Sequence, residues 1–478
     1  MLRAVSRCLA SLLIALLCSP PAWATCGGGG GGGRGGMAPA GMEAQVYQVP
    51  WKVFGQDGAA PKEGLTLYWF PASTEEVQRS SLRTSRTLSL YAGQCVSMLV
   101  ADATMPAGQQ YKVAGRLPMV VLAKADGTAV AEVEGEKGKL YAPVVEKLLS
   151  DEMKRRENAL KQSLEDAKSK AKSGDTAVAV ELLKSVYAER CLFPKRANDA
   201  AKELKKLGQD VKVETGDLTL PTFDPARSRR IEKIMLDGLE AENEGRYEVA
   251  RQRYLEAEAL DPADPAPIRY LGELLRHHTG EWDKARVEFE RILAMRADPL
   301  SRAVALHGLG KMTIHAGQFD RGREMMEESV ATYPLALAYR NLAVYWNSEG
   351  DLKKTGRYVD EALRLDPKDP YNIVFAAVFK ATSGRVDEAL RIAQENEAML
   401  PASYNLAAIH AIAGHRETAL RLLRRHFQEY ERYDAVRGEE MMEARVDAVF
   451  ASLREDPAFL SLTDKADGRM AMPGRTSH

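Results

Sequence analysis

Three short sets of residues share one spacing: Arg269, Glu273 and Arg276; His307, Lys311 and Ile314; Arg340, Val344 and Asn347. Each runs i, i+4, i+7 and so falls on one face of a helix. Tyr371 and Tyr404 extend the series. A surface that is basic in its middle and aromatic toward its end has the chemistry to clamp an acidic segment or a C-terminal carboxylate by charge-assisted hydrogen bonds. The same residues also read as solvated charges on helix surfaces.

Other chemistry is thinly represented. His277 and His278 are adjacent and diverge on a helix, and His410 and His415, five apart, miss a common face. His307 shares a face with Lys311, but one histidine is no metal site. The sequence holds no P-loop, G-x-S-x-G or H-E-x-x-H pattern, so neither an enzyme nor a cofactor is expected. Of the five cysteines, Cys8 and Cys18 fall in an apolar leader, and Cys26, Cys95 and Cys191 have no metal-ligand spacing. Cys95 reads first as a buried small hydrophobe and only second as a reactive thiol, the basis of an alternative function as a thiol-disulfide oxidoreductase or redox chaperone. Cys95 and Cys191 could pair in an oxidising compartment, but sequence does not bring their Cα atoms within bridging distance.

The elements that must carry the stripe repeat about every 34 residues. In the stretch Ile231–Asp264, Gly238, Gly245, Tyr247, Ala250, Tyr254, Ala257 and Pro262 recur at spacings found again around Gly272 and Gly280, Gly310 and Gly317, Ala343 and Gly350, Ala377 and Gly384, and Ala407 and Gly414. Small residues let two helices approach, glycine ends the first helix and proline stops the second. The pattern resembles the tetratricopeptide repeat, which implies an all-α solenoid that holds protein or peptide partners in its concave face. Residues 229–435 make about six such repeats, with 436–466 as capping helices and 467–478 as a tail.

Ahead of the repeats the chain changes character. Arg3 and Arg7, the apolar run Leu9 to Leu17 and Ala22-Trp23-Ala24 have the layout of a secretory signal peptide over 1–24. A glycine-rich tether follows over 25–43. Cys26 before the glycine run resembles the lipidated cysteine of a bacterial lipoprotein, although Trp23-Ala24-Thr25 departs from the usual lipobox. Exported protein, periplasmic or extracellular, is expected, with contact to membrane only through an anchor at Cys26.

Over 44–150 the periods read strand (Leu65 to Phe70), helix (Thr74 to Tyr91, capped by Thr74), strand (Cys95 to Val100), then a hairpin around Asp126-Gly127 and a helix from Tyr141. With Tyr68-Trp69-Phe70, Asp102 and Leu117-Pro118, this order resembles the thioredoxin fold, in which Pro118 would be the cis proline. Where a redox member carries two cysteines, the chain has Pro71-Ala72-Ser73-Thr74-Glu75-Glu76, so the resemblance implies a degenerate, structural or recognition module. Residues 151–208 read as a divergent helical hairpin and 209–228 as a linker.

The expected class is α+β: a thioredoxin-like α/β domain followed by an all-α tetratricopeptide (TPR) solenoid. With 478 residues, 45% hydrophobic, and 66 basic against 67 acidic side chains, the chain can build several cores and has no net field for nucleic acid. The expected role is a non-catalytic adaptor or scaffold for protein or peptide partners; a tethered structural component of an envelope assembly is the other alternative.

Overall fold

The computed structural model describes residues 46–53, 63–215, 218–431 and 434–464. The expected leader, the tether with Cys26 and the tail lie outside them. The first described part is a five-stranded sheet of β1 (Lys52–Val53), β2 (Leu65–Phe70), β3 (Val96–Val100), β4 (Met119–Lys124) and β5 (Ala129–Glu134), in the order β1-β3-β2-β4-β5. β1 and β2 run parallel to β3, while β4 is antiparallel to β2 and to β5. All six residues of β2 are buried, as a central strand covered on both faces requires. One face packs Trp51 and Trp69, ring centres 5.3 Å apart, with Leu67, Val145 and Leu149; the other packs Tyr68, Phe70 and Val121 with Val113. The Leu117-Pro118 bond before β4 is cis.

The expected single helix from Thr74 is two: α1 (Thr74–Arg79) and α2 (Arg86–Gly93). Ser80 and Ser85 interrupt it, because each turns its hydroxyl onto a backbone N–H two or three residues on and starts a new turn. The N-cap of α1 is Ser73, not Thr74. Ser73 accepts from the Glu76 N–H at 3.2 Å and the Glu76 carboxylate accepts from the Ala72 N–H at 2.7 Å, so the start of α1 is a reciprocal helix cap. A short α3 (Pro106–Gln110) has no counterpart in the sequence pattern.

α4 (Ala142–Lys172) is one helix of 31 residues and runs unbroken through position 150, where the sequence placed a domain boundary. The stretch has no glycine or internal proline to stop it. α5 (Thr176–Ala188) and α6 (Pro194–Lys206) follow. Cys95 and Cys191 form a disulfide, Cα atoms 5.8 Å apart, that ties the start of β3 to the α5–α6 loop. The reading of Cys95 as an unpaired buried hydrophobe is thereby corrected.

After the linker, antiparallel helices stack in pairs: α7 (Pro225–Asn243) with α8 (Tyr247–Leu260), α9 (Pro265–His277) with α10 (Trp282–Ala294), α11 (Pro299–His315) with α12 (Phe319–Thr332), α13 (Ala336–Ser348) with α14 (Leu352–Leu365), α15 (Pro370–Thr382) with α16 (Val386–Asn396), and α17 (Tyr404–Ile412) with α18 (Arg416–Arg424). This is a mostly helical, TPR-like solenoid. Asp224, Asp264, Asp298 and Asp369 each cap a first helix through the side chain, followed by a proline whose missing N–H costs nothing there. The turns inside the pairs use glycine in the left-handed region, as at Gly245 (φ 76) and Gly317 (φ 82). Phe289 shows why small residues recur: a Cβ on Gly272 or Gly308 would come within 2.7 or 2.4 Å of its ring. α19 (Asp434–Val446) and α20 (Pro457–Leu462) close the end of the stack.

Candidate functional site

The concave face begins with the first helices of the pairs. Every residue of α9 from Pro265 to Arg276 is buried, although a solenoid helix ordinarily keeps one stripe in water. The cover comes from the chain itself. Val46 and Tyr47 lie against α9 and α11, Gln48 reaches Tyr333 at the end of α12, and α2 of the sheet module presses Arg86 into the same face.

Arg86 is fully buried. Its guanidinium donates to Asp264 Oδ2 at 2.7 Å, Asp261 Oδ2 at 2.6 Å, Ser228 Oγ at 2.8 Å and the Thr222 carbonyl at 3.2 Å. Burial is the largest single influence and would lower its pKa, but the Asp264 charge, the Tyr47 hydroxyl and the hydrogen bonds to Asp264 and Asp261 together outweigh it and raise the pKa above its usual value. Tyr47 donates its hydroxyl to the same Asp264 oxygen at 2.7 Å, and Gln48 Nε2 donates to Tyr333 Oη at 3.1 Å. Close by, Gly93 abuts the loop between α10 and α11 so tightly that a Cβ would lie 2.9 Å from the Arg296 carbonyl oxygen. Arg296 in turn donates to the Cys191 carbonyl at 2.7 Å.

The residues expected to clamp a partner are occupied by these contacts. Arg269 donates to Ser301 Oγ at 3.2 Å and to the Val46 carbonyl at 3.3 Å. Arg276 pairs with Glu273 at 3.0 Å, and Glu273 also meets His277 at 3.1 Å. Burial, then the Arg276 charge, depresses the His277 pKa to about 4. His307, fully buried beside Asn341 at 2.7 Å, is held well below its usual value by the same two causes in the same order. Arg340 donates to Asn372 Oδ1 at 2.9 Å and lies 3.5 Å from Asp369.

Farther along, α19 folds back over the groove. Glu443 reaches His315 at 2.5 Å and Lys311 at 3.9 Å. Burial would raise the carboxyl pKa, yet Lys311 and His315 bring it to about 2. Tyr404 donates to Asp447 at 3.1 Å, and Tyr371 is half-buried beside Tyr430. Of the stripe, only Val344 is exposed, at 49%; Lys311, Ile314, Asn347, Tyr371 and Tyr404 are half-buried. The structure thus corrects the reading of Arg269, Glu273, Arg276, His307 and Arg340 as an open basic clamp: they are interior residues, each engaged with a partner within the chain, although Arg276 Nε is left without one among the described residues. Sequence reasoning missed Tyr47, Arg86, Asp261, Asp264 and Glu443, whose partners lie far away in the chain and follow no period. The repeated Asp-Pro at 264–265 and 298–299 was the one local signal, and it announces caps. Among the described residues, no group of three His, Cys, Asp or Glu could hold a metal, and no helix is long and apolar enough to cross a membrane.

No family model matches the chain. Among curated proteins it is similar to the protein CTR9 homolog of Arabidopsis thaliana, at 27% identity, with 28% of this chain and 16% of that one covered. The chain therefore spans less than a fifth of that relative. Among solved structures it is similar to a thermophilic TPR protein of Thermus thermophilus (18% identity, 40% of this chain, 98% of that one, TM-score 0.31). It is also similar to YrrB, a TPR protein with an unusual peptide-binding site (21% identity, 37% and 92% covered, TM-score 0.25), and to the APC/C hetero-tetramer Cut9-Hcn1 (12% identity, 64% and 59% covered, TM-score 0.34).

Proposed function

We propose that the chain is an exported, non-catalytic scaffold that binds protein or peptide partners, with its sheet module serving as a built-in part of the solenoid. The observation that carries this reading is the way the concave face already holds a segment of the chain itself. Arg269 takes the Val46 carbonyl, Asp264 takes the Tyr47 hydroxyl, and Tyr333 takes the Gln48 amide. Contacts to main chain and to individual side chains are what peptide recognition uses, here with the carbonyl of Val46 and the side chains of Tyr47 and Gln48. With that part of the groove filled, partners are left the mouth at Val344 and Asn347 and the second helices of the pairs, where Val287, Phe319 and Leu352 are 40 to 53% exposed.

The sheet module is, in this reading, thioredoxin-like, which the strand order β1-β3-β2-β4-β5 supports. Its role is structural: Cys95 is joined to Cys191, which removes the thiol that an oxidoreductase or redox chaperone would need. The leader and the tether at Cys26 make export, with or without a lipid anchor, part of the same proposal. A photo-crosslinking residue placed at Val344 or Val287 in the producing cell tests it. A discrete adduct at either site, in a fraction outside the cytoplasm, is the expected result; a protein retained in the cytoplasm, or one free of adducts at both sites, would count against it. Fractionation of Cys26→Ser beside the unaltered protein separates an anchored envelope component from a free one.

A further inference from the structure

A cleft of about 610 Å³ lies between α4, α6, the end of α2 and the linker residues 218–223, and no residue of the stripe lines it. Its size is that of small-molecule sites, about 300–1,000 Å³. The floor is apolar: Tyr91 and Phe223 stack with ring centres 4.2 Å apart, and Phe193 and Met153 lie beside them. Gln94 contributes a buried polar atom. It is 3% exposed, and its Nε2 donates to the Leu192 carbonyl at 2.6 Å. Because only the amide nitrogen can face a carbonyl, the other end of the side chain must be Oε1, and this buried acceptor has no partner among the described residues. The Cys95–Cys191 disulfide joins the immediate neighbours of Gln94 and Leu192 and so braces this wall.

The rim is basic. Arg196 is neutralised by Glu157 at 2.8 Å and Lys202 lies 3.9 Å from Asp199, whereas Lys154 and Lys195 are exposed and have no ion pair among the described residues. Because Gln94 Oε1 has no surface open to the cleft, two features select a ligand: an apolar body for the aromatic floor and an anion for Lys154 and Lys195. We propose that this cleft binds an apolar carboxylate, either as a free acylated amino acid or as the last residue of a peptide. The site shares no lining residue with the stripe and does not depend on the scaffold reading.

Calorimetric titration of the purified protein with N-acetyl-phenylalanine, with an acetylated tetrapeptide ending in phenylalanine, and with the amide of each tests this. The free acids bind saturably and the amides at least about tenfold more weakly, the worth of one charge-assisted hydrogen bond. Lys154→Glu with Lys195→Glu, both exposed positions, weakens the acids by a similar factor and leaves the melting temperature unaltered. Tighter binding of the peptide identifies a peptide C-terminus as the natural source, and equal binding identifies the free acid. No saturable binding by either acid, or equal binding of acid and amide by the unaltered protein, overturns the proposal whatever the variants do.

Discussion

Replacing Arg86 by methionine removes the cation that faces Asp261 and Asp264 across the junction between the sheet module and the solenoid. Breaking a buried ion pair from one side costs about 3–5 kcal/mol, because the remaining charge is left without compensation. Three contacts soften this. Asp264 keeps the Tyr47 hydroxyl and the Ala266 N–H at 3.0 Å, and Asp261 keeps the Thr222 N–H at 2.7 Å. The expected loss is therefore near the lower bound, about 3 kcal/mol. The triple variant Arg86→Met, Asp261→Asn, Asp264→Asn removes the stranded charges and keeps the acceptors that cap α9, so it regains more than half of that loss. Urea unfolding followed both by helical circular dichroism and by tryptophan fluorescence, to which Trp51 and Trp69 of the sheet core and Trp282 and Trp346 of the solenoid contribute, measures both variants. A loss under about 1 kcal/mol for the single variant, or a triple variant no more stable than the single one, would refute the assignment of Arg86 as the keystone of the junction.

Gly93→Ala is expected to destabilise the same junction by about 1–3 kcal/mol, since the added methyl meets backbone at Arg296 to Asp298 and not a yielding side chain; thermal melting of the variant checks it. Acidification acts through His277. Unfolded, the ring takes a proton near pH 6.5; folded, it does so only at about 4, because of burial and then Arg276. Its share of stability is whole above pH 6.5 and falls as pH drops from there to about 4, by about 3 kcal/mol in all. His277→Gln should flatten that part of the pH–stability curve, and an unchanged slope would refute the attribution. Cys95→Ser with Cys191→Ser opens a loop with a sequence separation of 96 and is expected to cost about 4–5 kcal/mol on the chain-entropy scale. Denaturation with and without reductant measures it.

The helical pairs were legible because their causes are local. Gly245 and Gly317 mark turns, Gly238 leaves room for the Tyr254 ring, and proline after aspartate opens the first helices. The junction was not legible. Tyr47 and Asp264 are 217 positions apart, Arg86 and Asp264 178, and no periodicity links residues whose meeting depends on how two finished surfaces fit. The same limit misled the site. A helical stripe shows which residues share a face, but Arg269 and Arg276 could be known as interior only once it was known that Val46 and α2 cover that face. The break at Ser80 was misread for a different reason: serine hydroxyls compete with the helix for backbone N–H groups, and either outcome fits the hydrophobic pattern.

The bridge from Arg86 to Asp261 and Asp264 also has an order in time. A chain is made from its N-terminus, so the sheet module and its arginine exist well before the two carboxylates that will receive it. Until then the docking face must live in water, which suits a surface of Arg86, Gln48 and Ser89 better than a purely apolar one. Its partner hairpins then arrive already shaped, and α19 comes last to lay Glu443 over Lys311 and His315. Both ends of the chain thus seat on the helical pairs between them, and neither can do so until those pairs have formed.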